Sequence, residues 1–179
     1  PVYTYEVNVL GTLNMLEAIR HCDSTKVGLM ITSDKCYENK EWIWGYRETD
    51  SIGGHDPYSS SKGCCEVLVS SYRNSYFPME RFSEHGKVIA SVRAGNVIGG
   101  GDWSLDRIIP DCVRALEANQ NIVIRAPKSI RPWQHVLEPL GGYLILAEKL
   151  LEKDTFYSGA WTFGPESDNI ITVEKLDRK

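Results

Sequence analysis

Residues 26–37 read KVGLMITSDKCY, an apolar run that ends in polar side chains. The apolar part, Lys26–Ser33, has the length and composition of a buried strand. Residues 87–94, KVIASVRA, show the same pattern. Segments with a helical spacing of apolar residues lie before the first run and between the two runs, at 3–21 and 58–77. Strands that alternate with helices of this length indicate an α/β fold with a parallel sheet.

The rest of the sequence predicts further elements of both kinds. A long loop, 34–57, follows the first strand, and long ordered loops in compact domains are often functional. A glycine-rich loop, 95–104, follows the second strand. Beyond it we expect helices at 106–119 and 139–151, strands at 121–125 and 161–164, and the start of another element at 171–179.

Two short polar segments are candidates for catalysis. Ser33 and Asp34 follow the first strand, and ligands of open α/β sheets bind beyond the carboxyl ends of the strands. Tyr58 and Lys62 are four residues apart in a predicted helix, so both side chains lie on one face. An ammonium beside a phenol favours the phenolate, and such a tyrosine can take a proton from a sugar hydroxyl as a hydride leaves the same carbon. The alternative is a surface lysine one turn from an ordinary tyrosine.

The composition argues against several classes of function. With 179 residues, 42% hydrophobic and 25% charged, the chain suits one soluble domain and is marginal for two. A net charge of −4 argues against nucleic-acid binding, and no apolar stretch reaches the roughly 18 residues that would span a membrane. The cysteines lack C-x-x-C spacing, which is typical of reduced thiols in a cytosolic protein. The histidines are scattered singly, so we expect no metal site.

Several motifs together carry a resemblance to a known family. They are Asn8–Thr12 (NVLGT), Ser33–Lys35 (SDK), Tyr58–Lys62 (YSSSK), Arg93–Val97 (RAGNV) and Arg131–Val136 (RPWQHV). In that order they resemble the N-[IV]-x-G-T, T-D-E, Y-x-x-x-K, R-x-x-N and R-D-W-x-[HY]-V segments of the extended short-chain dehydrogenase/reductase family. Within that family they resemble the nucleotide-sugar 4,6-dehydratases, and the resemblance spans nearly the whole chain.

The resemblance implies a Rossmann-like, doubly wound parallel sheet with NAD as cofactor and a smaller substrate-binding α/β region. Residues 1–95 would form the second half of the NAD-binding domain with the catalytic residues. Residues 96–179 would form mainly the substrate-binding region and return in part to the Rossmann sheet. The family's N-terminal G-x-x-G-x-x-G segment is absent, and Gly99–Gly101 is interpreted as a turn. We therefore expect a fragment that lacks the N-terminal cofactor-binding half and is truncated at its C-terminus.

The resemblance also implies a role for each catalytic candidate. Tyr58 is the base for oxidation at C4 of the sugar, with Ser33 hydrogen-bonded to the hydroxyl group. Asp34 protonates the departing C6 hydroxyl. Lys35 stands where thymidine-nucleotide relatives carry glutamate. It is either the base at C5, which requires burial or Lys62 to lower its pKa, or a residue that holds Asp34 or a water in place.

Binding roles are expected at both ends of the chain. Asn8 resembles a cofactor contact, in addition to Tyr58 and Lys62. Asn96 follows the second strand, within the R-x-x-N segment that meets the substrate. Arg107 and Arg131 are candidates for the substrate diphosphate, because a guanidinium matches phosphate geometry bidentately.

Three segments resemble the variants carried by family members that act on CDP-glucose, and this resemblance implies CDP-glucose as the substrate, in deoxysugar and lipopolysaccharide (O-antigen) biosynthesis. The segments are TSDKCY (32–37), AGNVIGGGDW (94–103) and IRPWQHVLEPL (130–140). We expect a cytoplasmic homodimer or dimer of dimers that pairs through the outer faces of helices 3–21 and 58–77. The apolar residues expected on those faces include Leu13, Val67 and Tyr72.

Two other functions stay open at this point. A nucleotide-sugar 4-epimerase would share Tyr58, Lys62 and NAD, but it needs no acid at C6, so Asp34 argues against it. The second alternative is a chain that, as it stands, is catalytically incompetent and is at most a structural or binding remnant. The absent glycine-rich segment favours this alternative.

Overall fold

The computed structural model describes residues 1–40, 42, 44–152, 155–166 and 170–173. These residues form two compact units. The first comprises Pro1–Ala94 and Leu140–Phe163, and the second comprises Gly95–Pro139 with the described residues from Gly164 onward. The roles expected for 1–95 and 96–179 stay predictions.

Helices and strands alternate along most of the chain. The helices are α1 (Val2–Tyr5), α2 (Gly11–His21), α3 (Pro57–Ser75), α4 (Phe82–His85), α5 (Ile108–Glu117) and α6 (Leu137–Leu151). The strands are β1 (Val27–Ile31), β2 (Val88–Ala94), β3 (Val97–Ile98), β4 (Ile130–Pro132), β5 (Gln134–His135), β6 (Ala160–Phe163) and β7 (Ile170–Thr172). A π-helical segment, Glu6–Leu10, joins α1 to α2, so the predicted first helix is confirmed.

The first unit is built on a parallel sheet with the strand order β1-β2-β6. Because successive side chains of a strand point to opposite faces, β2 contributes buried side chains to both faces of this sheet. Ile89 packs with Leu16, Val69 and Phe77 of the segment around α2 and α3. Val88, Ala90 and Val92 pack on the other face, where Leu146 and Leu150 of α6 cover them. Helices on both faces define a doubly wound sheet, which confirms the predicted fold class.

The start of α3 is fixed by its capping residues. Asp56 is the N-cap, and its carboxylate accepts hydrogen bonds from the backbone nitrogens of Tyr58 at 2.9 Å and Ser59 at 3.0 Å. Pro57 occupies the first helical position, where its fixed φ angle suits a helix and its missing N–H costs nothing. The hydrogen bonds from the hydroxyl and the backbone of Ser59 lower the pKa of the Asp56 carboxyl. The cap therefore places Tyr58 in the first turn of α3.

The second unit contains two short strand pairs. β3 and β5 run parallel, and β4 and β7 run antiparallel. The strand predicted at 121–125 is not formed, and Val123 in its centre is 84% exposed. A run of β-branched residues favours an extended backbone, but a strand also requires a neighbour to pair with. The predicted element at 171–179 begins as β7, and 174–179 lie outside the described residues.

The orientation of two helical side chains also differs from expectation. Leu13 packs against the core beside Leu16 and Ile19, and Tyr72 is buried with its hydroxyl donating to Glu17 Oε1 at 2.6 Å. Of the three residues expected on the outer faces, only Val67 is exposed. The prediction failed because helical spacing does not say which of two apolar faces meets the sheet. Across the residues that the structure describes, no helix combines the length and apolarity needed to cross a membrane.

Candidate active site

A tight turn at the end of β1 carries the first group of candidate residues. Ser33 precedes a single 3₁₀ turn, Asp34–Cys36. The Ser33 hydroxyl accepts a hydrogen bond from the Lys35 backbone nitrogen at 3.2 Å and donates to Asp34 Oδ1 at 3.1 Å. Ser33 is buried, Asp34 is half-buried and Lys35 is exposed. The turn thus holds a hydroxyl and a carboxylate in direct contact at the carboxyl end of a parallel strand.

Tyr58 and Lys62 of α3 form the second group. The Lys62 ammonium lies 5.9 Å from the centroid of the Tyr58 ring, so the two side chains share one face of the helix as predicted. Lys62 Nζ also lies 3.5 Å from the carbonyl oxygen of Ile31, the last residue of β1. Tyr58 is 43% exposed, which leaves the phenol accessible to a ligand. Lys62 therefore connects the tyrosine to the strand that leads into the Ser33–Asp34 turn.

Asn8 contacts the same helix from the π-helical segment between α1 and α2. Its amide nitrogen donates to Ser61 Oγ at 2.8 Å, and the Ser61 hydroxyl donates to the carbonyl oxygen of Tyr58 at 2.7 Å. The carbonyl of Asn8 accepts from Thr12 Oγ1 at 2.7 Å and from Cys65 Sγ at 3.2 Å. Asn8 thus supports the helical turn that carries Tyr58, while its cofactor contact stays a prediction.

A buried ion pair lies behind these two groups. Glu66 of α3 and Arg93 of β2 meet at 2.7 Å, and each side chain is only 4% exposed. The Glu66 carboxylate also accepts hydrogen bonds from the Ser91 hydroxyl at 2.8 Å and from the Thr32 hydroxyl. Burial raises the pKa of Glu66, but the hydrogen bonds from Arg93 and Thr32 outweigh it, so the net pKa lies below its usual value. Glu66 is therefore ionised at neutral pH although it lies inside the protein.

Arg93 extends the ion pair to the long loop that follows β1. Its Nη1 donates to the Tyr37 hydroxyl at 2.8 Å and to the carbonyl oxygen of Glu48 at 3.3 Å. The Tyr37 hydroxyl also shares a hydrogen bond with the Thr162 hydroxyl of β6, with the two oxygens 2.6 Å apart. Burial raises the pKa of Tyr37 and keeps the phenol protonated. We call Thr32, Tyr37, Glu66, Ser91, Arg93 and Thr162 the buried network.

Sequence reasoning did not find the buried network. Arg93 was expected in a segment that meets the substrate, whereas its side chain lies in the protein interior. One signal was available, because a charged residue in the apolar run 87–94 requires a buried partner of opposite charge. Glu66, one helical turn after Lys62, was a candidate for that partner. Nothing in the sequence fixes which carboxylate is used, because the two residues are far apart along the chain.

The remaining candidate residues belong to the second unit. Asn96 is half-buried between β2 and β3, and its carbonyl accepts from the Gln134 backbone nitrogen at 3.0 Å. Arg107 is exposed and precedes α5. Arg131 is half-buried on β4, with Nη1 donating to the neighbouring carbonyl of Ile130 at 2.9 Å. Among the described residues, neither arginine is within 4.0 Å of a carboxylate oxygen.

A cavity of about 500 Å³ lies within the second unit, with Trp133, His135 and Glu138 among its lining residues. This is the size range of small-molecule sites. Within the described part of the chain, no cluster of three or more His, Cys, Asp or Glu side chains is arranged to hold a metal ion.

The chain matches a known family over most of its length. The model of the family described as GDP-mannose 4,6 dehydratase matches residues 1–155. A CDP-glucose 4,6-dehydratase of Salmonella typhimurium is 53% identical over 97% of this chain and 48% of that protein. A GDP-6-deoxy-D-talose 4-dehydrogenase of Aggregatibacter actinomycetemcomitans is 27% identical over 87% of this chain and 49% of that protein. The chain thus spans about half the length of these curated relatives.

Solved structures share the fold. A dTDP-glucose 4,6-dehydratase from Bacillus anthracis in complex with NAD superposes with a TM-score of 0.78 at 18% identity, covering 97% of this chain and 50% of that one. A UDP-glucose 4-epimerase from Thermus thermophilus in complex with NAD gives a TM-score of 0.74 at 21% identity, covering 97% of this chain and 53% of that one. A dehydratase and an epimerase thus share this fold, so the fold alone does not separate the two activities.

Proposed function

This chain belongs to the GDP-mannose 4,6 dehydratase family, and from that membership we propose that the protein converts CDP-glucose to CDP-4-keto-6-deoxyglucose with NAD. The contact between Ser33 and Asp34, at the end of the strand that Lys62 also reaches, is the observation that supports the proposal best. The proposed base for oxidation, Tyr58, and the proposed acid for elimination, Asp34, then belong to adjacent elements of the first unit. The relative from Salmonella, at 53% identity, supports CDP-glucose as the substrate.

The donor groups beside Tyr58 suit a dinucleotide. Lys62 supplies an ammonium next to a half-exposed phenol, at the edge of the sheet where open α/β folds bind dinucleotides. Ribose hydroxyls accept hydrogen bonds from such groups, so the residues fit NAD, with Asn8 proposed as a further contact. When bound, NAD supplies hydride chemistry by accepting a hydride from C4 and returning it to C6.

Two residues handle the C4 hydroxyl in this proposal. Tyr58 takes its proton, with the Lys62 ammonium beside it on the same face of α3. Ser33 donates a hydrogen bond to the same oxygen, which requires its hydroxyl to turn away from Asp34. A ketone at C4 then makes the C5 proton acidic.

Asp34 gives a proton to the C6 hydroxyl, so that this group leaves as water. In this role Asp34 has to carry a proton until the hydroxyl departs. Lys35 is proposed either as the base that removes the C5 proton or as a residue that holds Asp34 or a water. The exposure of its side chain favours the second role, since a lysine base requires burial or a neighbouring cation.

Ser33 of the first unit is proposed as one substrate contact, and further substrate contacts are proposed for residues of the second unit. Arg107 and Arg131 provide guanidinium groups for the diphosphate, and Asn96 donates to a phosphate or sugar oxygen. The cavity beside Trp133 is large enough for a nucleoside. We place the reaction in deoxysugar biosynthesis for lipopolysaccharide, in the cytoplasm.

We further propose that the protein forms a homodimer or a dimer of dimers. Adjacent helical segments expose uncharged side chains, including Tyr3, Val7 and Leu10 before α2, and Cys64 and Val67 on α3. A second copy related by a two-fold axis would bury the exposed side chains of both helical segments at once. The 4-epimerase alternative is less well supported, because that reaction has no use for the Asp34 carboxyl.

Replacing Asp34 tests the proposal in the natural full-length protein. In a single turnover with CDP-glucose, Asp34→Asn should still oxidise C4 but should slow elimination by roughly 100-fold. The absorbance of the reduced nicotinamide would then rise with little formation of the 4-keto-6-deoxy sugar. Asp23→Asn, at an exposed carboxyl after α2, is the matched control and should behave as wild type. Formation of the 4-keto-6-deoxy sugar by Asp34→Asn at the wild-type rate would show that Asp34 is not the acid, and the assignment would lose the residue that best separates a dehydratase from a 4-epimerase.

A further inference from the structure

The Ser33–Cys36 turn is held from both of its ends by one buried ion pair. Thr32 precedes the turn, and its hydroxyl donates to Glu66. Tyr37 follows the turn, and its hydroxyl accepts from Arg93 at 2.8 Å. The Arg93 guanidinium also lies over the Tyr37 ring, 4.9 Å from its centroid. The backbone on either side of Asp34 is therefore tied to the same pair of charges.

The same pair also fixes the helix that carries the proposed base. Glu66 lies four residues after Lys62 and eight after Tyr58, on the inward side of α3. Its carboxylate is joined to β2 by Ser91 at 2.8 Å and by Arg93 at 2.7 Å. A shift of α3 along the sheet would break these bonds together with the one from Thr32.

The geometry points to Glu66 and Arg93 as positioning residues that hold the Ser33–Cys36 turn at a fixed place relative to Tyr58 and Lys62. The inference rests on the proposed function, because it assigns a catalytic purpose to that spacing. Proton transfers at C4 and C6 of one sugar require a base and an acid at a defined separation. A displacement of about 1 Å between catalytic groups can cost roughly 100-fold in rate.

Stability alone is a weak reason for such a pair. Replacing a buried ion pair by apolar side chains of similar size is often neutral or stabilising, because the charges no longer have to be desolvated. An apolar pair cannot supply the directed hydrogen bonds to Thr32 and Tyr37. The positioning role can therefore be separated from folding by a double substitution.

The test uses Glu66→Met/Arg93→Met in the natural full-length protein, with its melting temperature compared with wild type. We expect a folded protein whose kcat with CDP-glucose is roughly 100-fold lower and whose KM changes little, because the diphosphate contacts are untouched. Arg93→Lys is the second variant. Arg93→Lys keeps the positive charge, but a single ammonium cannot bridge Glu66 and Tyr37 as the guanidinium does. The kcat of this variant should therefore lie between the kcat of wild type and that of the double variant.

Lys87→Met is the control, because it removes another buried cation, which donates to the carbonyls of Ile19 and Arg20 rather than to the turn. It should leave kcat unchanged.

Two buried cysteines give a readout that does not depend on activity. Cys36 lies in the turn at 0% exposure, and Cys65 lies on α3 at 1% exposure, bonded to Asn8 and Thr12. In the double variant and in Arg93→Lys, thiol labelling followed by mass spectrometry should show at least roughly 10-fold faster reaction of Cys36, with Cys65 still protected.

Two labelling results would overturn the inference. Equal protection of Cys36 in wild type and both variants would mean that other contacts hold the turn. Equal acceleration at Cys36 and Cys65 would mean that the pair supports only the fold. Absence of product from the wild-type protein would instead reject the proposed function, and the labelling result would still decide whether the pair positions the turn.

Discussion

The Lys62 ammonium lies 5.9 Å from the centroid of the Tyr58 ring and 3.5 Å from the carbonyl oxygen of Ile31. One cation therefore contacts both the candidate base and the end of the strand that leads to Ser33 and Asp34. This contact lies at the carboxyl end of β1, the edge of the sheet at which open α/β folds bind their ligands.

Removal of the Tyr58 hydroxyl should abolish the first step of the reaction. Tyr58→Phe keeps the ring beside Lys62 but has no group to take the proton from the C4 hydroxyl. We expect the rate of C4 oxidation to fall by at least roughly 100-fold, measured as reduced nicotinamide in a single turnover. Tyr76→Phe, at an exposed tyrosine just after α3, is the control and should keep the wild-type rate. A Tyr58→Phe protein that oxidises substrate normally would show that another group is the base.

Gly54 should not tolerate a side chain. A Cβ at Gly54 would overlap the backbone nitrogen of Ser60 in the first turns of α3, close to Tyr58. Backbone atoms cannot give way without moving the helix. Gly54→Ala should therefore lower the free energy of unfolding by roughly 1–3 kcal/mol, measured by urea denaturation. Gly45 belongs to the same loop but has open space around it, so Gly45→Ala should have little effect. Equal stability of the two variants would contradict the packing described for Gly54.

The buried carboxylate of Glu66 should make stability depend on pH in the acid range. Its folded pKa lies below the ordinary value of 4.5, so the ionised form stabilises the fold above that pH. The stabilisation is lost as the pH falls through the folded pKa. At neutral pH, Glu66→Gln should be less stable than wild type by about 3–5 kcal/mol, because Arg93 is left buried without its partner.

Urea denaturation at a series of pH values would measure this effect. The difference between Glu66→Gln and wild type should shrink as the pH is lowered below about 4.5. Glu80→Gln, at an exposed carboxyl, should follow the wild-type curve throughout. A difference that stays constant down to the acid limit would show that the Glu66 charge does not stabilise the fold.

The five cysteines should differ widely in reactivity. Hydrogen bonds with the side chains of Ser24 and Thr25 lower the pKa of Cys22 to about 7, whereas burial raises the pKa of Cys36 to about 12. Because the thiolate is the reactive form, alkylation of Cys22 should reach half its maximal rate near pH 7, and Cys36 should not react. Ser24→Ala should move the Cys22 profile to higher pH. Mass spectrometry after timed alkylation would measure both, and a Cys22 midpoint near the ordinary thiol pKa would contradict the hydrogen-bonding scheme.

The long and strongly patterned elements were predictable from the sequence. The apolar runs that became β1 and β2, and the helical spacing that became α2 and α3, each satisfy a local preference and a burial requirement at once. The run 121–125 met only the local preference and formed no strand. Leu13 and Tyr72 face inward because packing against the sheet, which sequence spacing does not reveal, decides which helical face is covered.

In the candidate site, too, the contacts within one element were predictable and the contacts that depend on packing were not. The contact between Tyr58 and Lys62 was predictable because both belong to one helix with a fixed geometry, and the place of Ser33 and Asp34 was predictable because they follow an apolar strand. The contact of Glu66 with Arg93 depends on how α3 packs on β2, so it required the structure. The catalytic and binding roles of all the candidate residues stay predictions, and the further ones beyond the two contacts are Asn8, Lys35, Asn96, Arg107 and Arg131.

The fate of the hydrogen at C4 decides between dehydration and epimerisation. Full-length protein would be incubated with NAD and CDP-glucose that carries deuterium at C4, and the product would be examined by NMR. We expect a 4-keto-6-deoxy sugar with deuterium at C6, because the hydride that leaves C4 returns to C6 of the same sugar. A product that keeps its C6 hydroxyl and carries the deuterium at C4, with the configuration there inverted, would contradict the dehydratase proposal and identify a 4-epimerase.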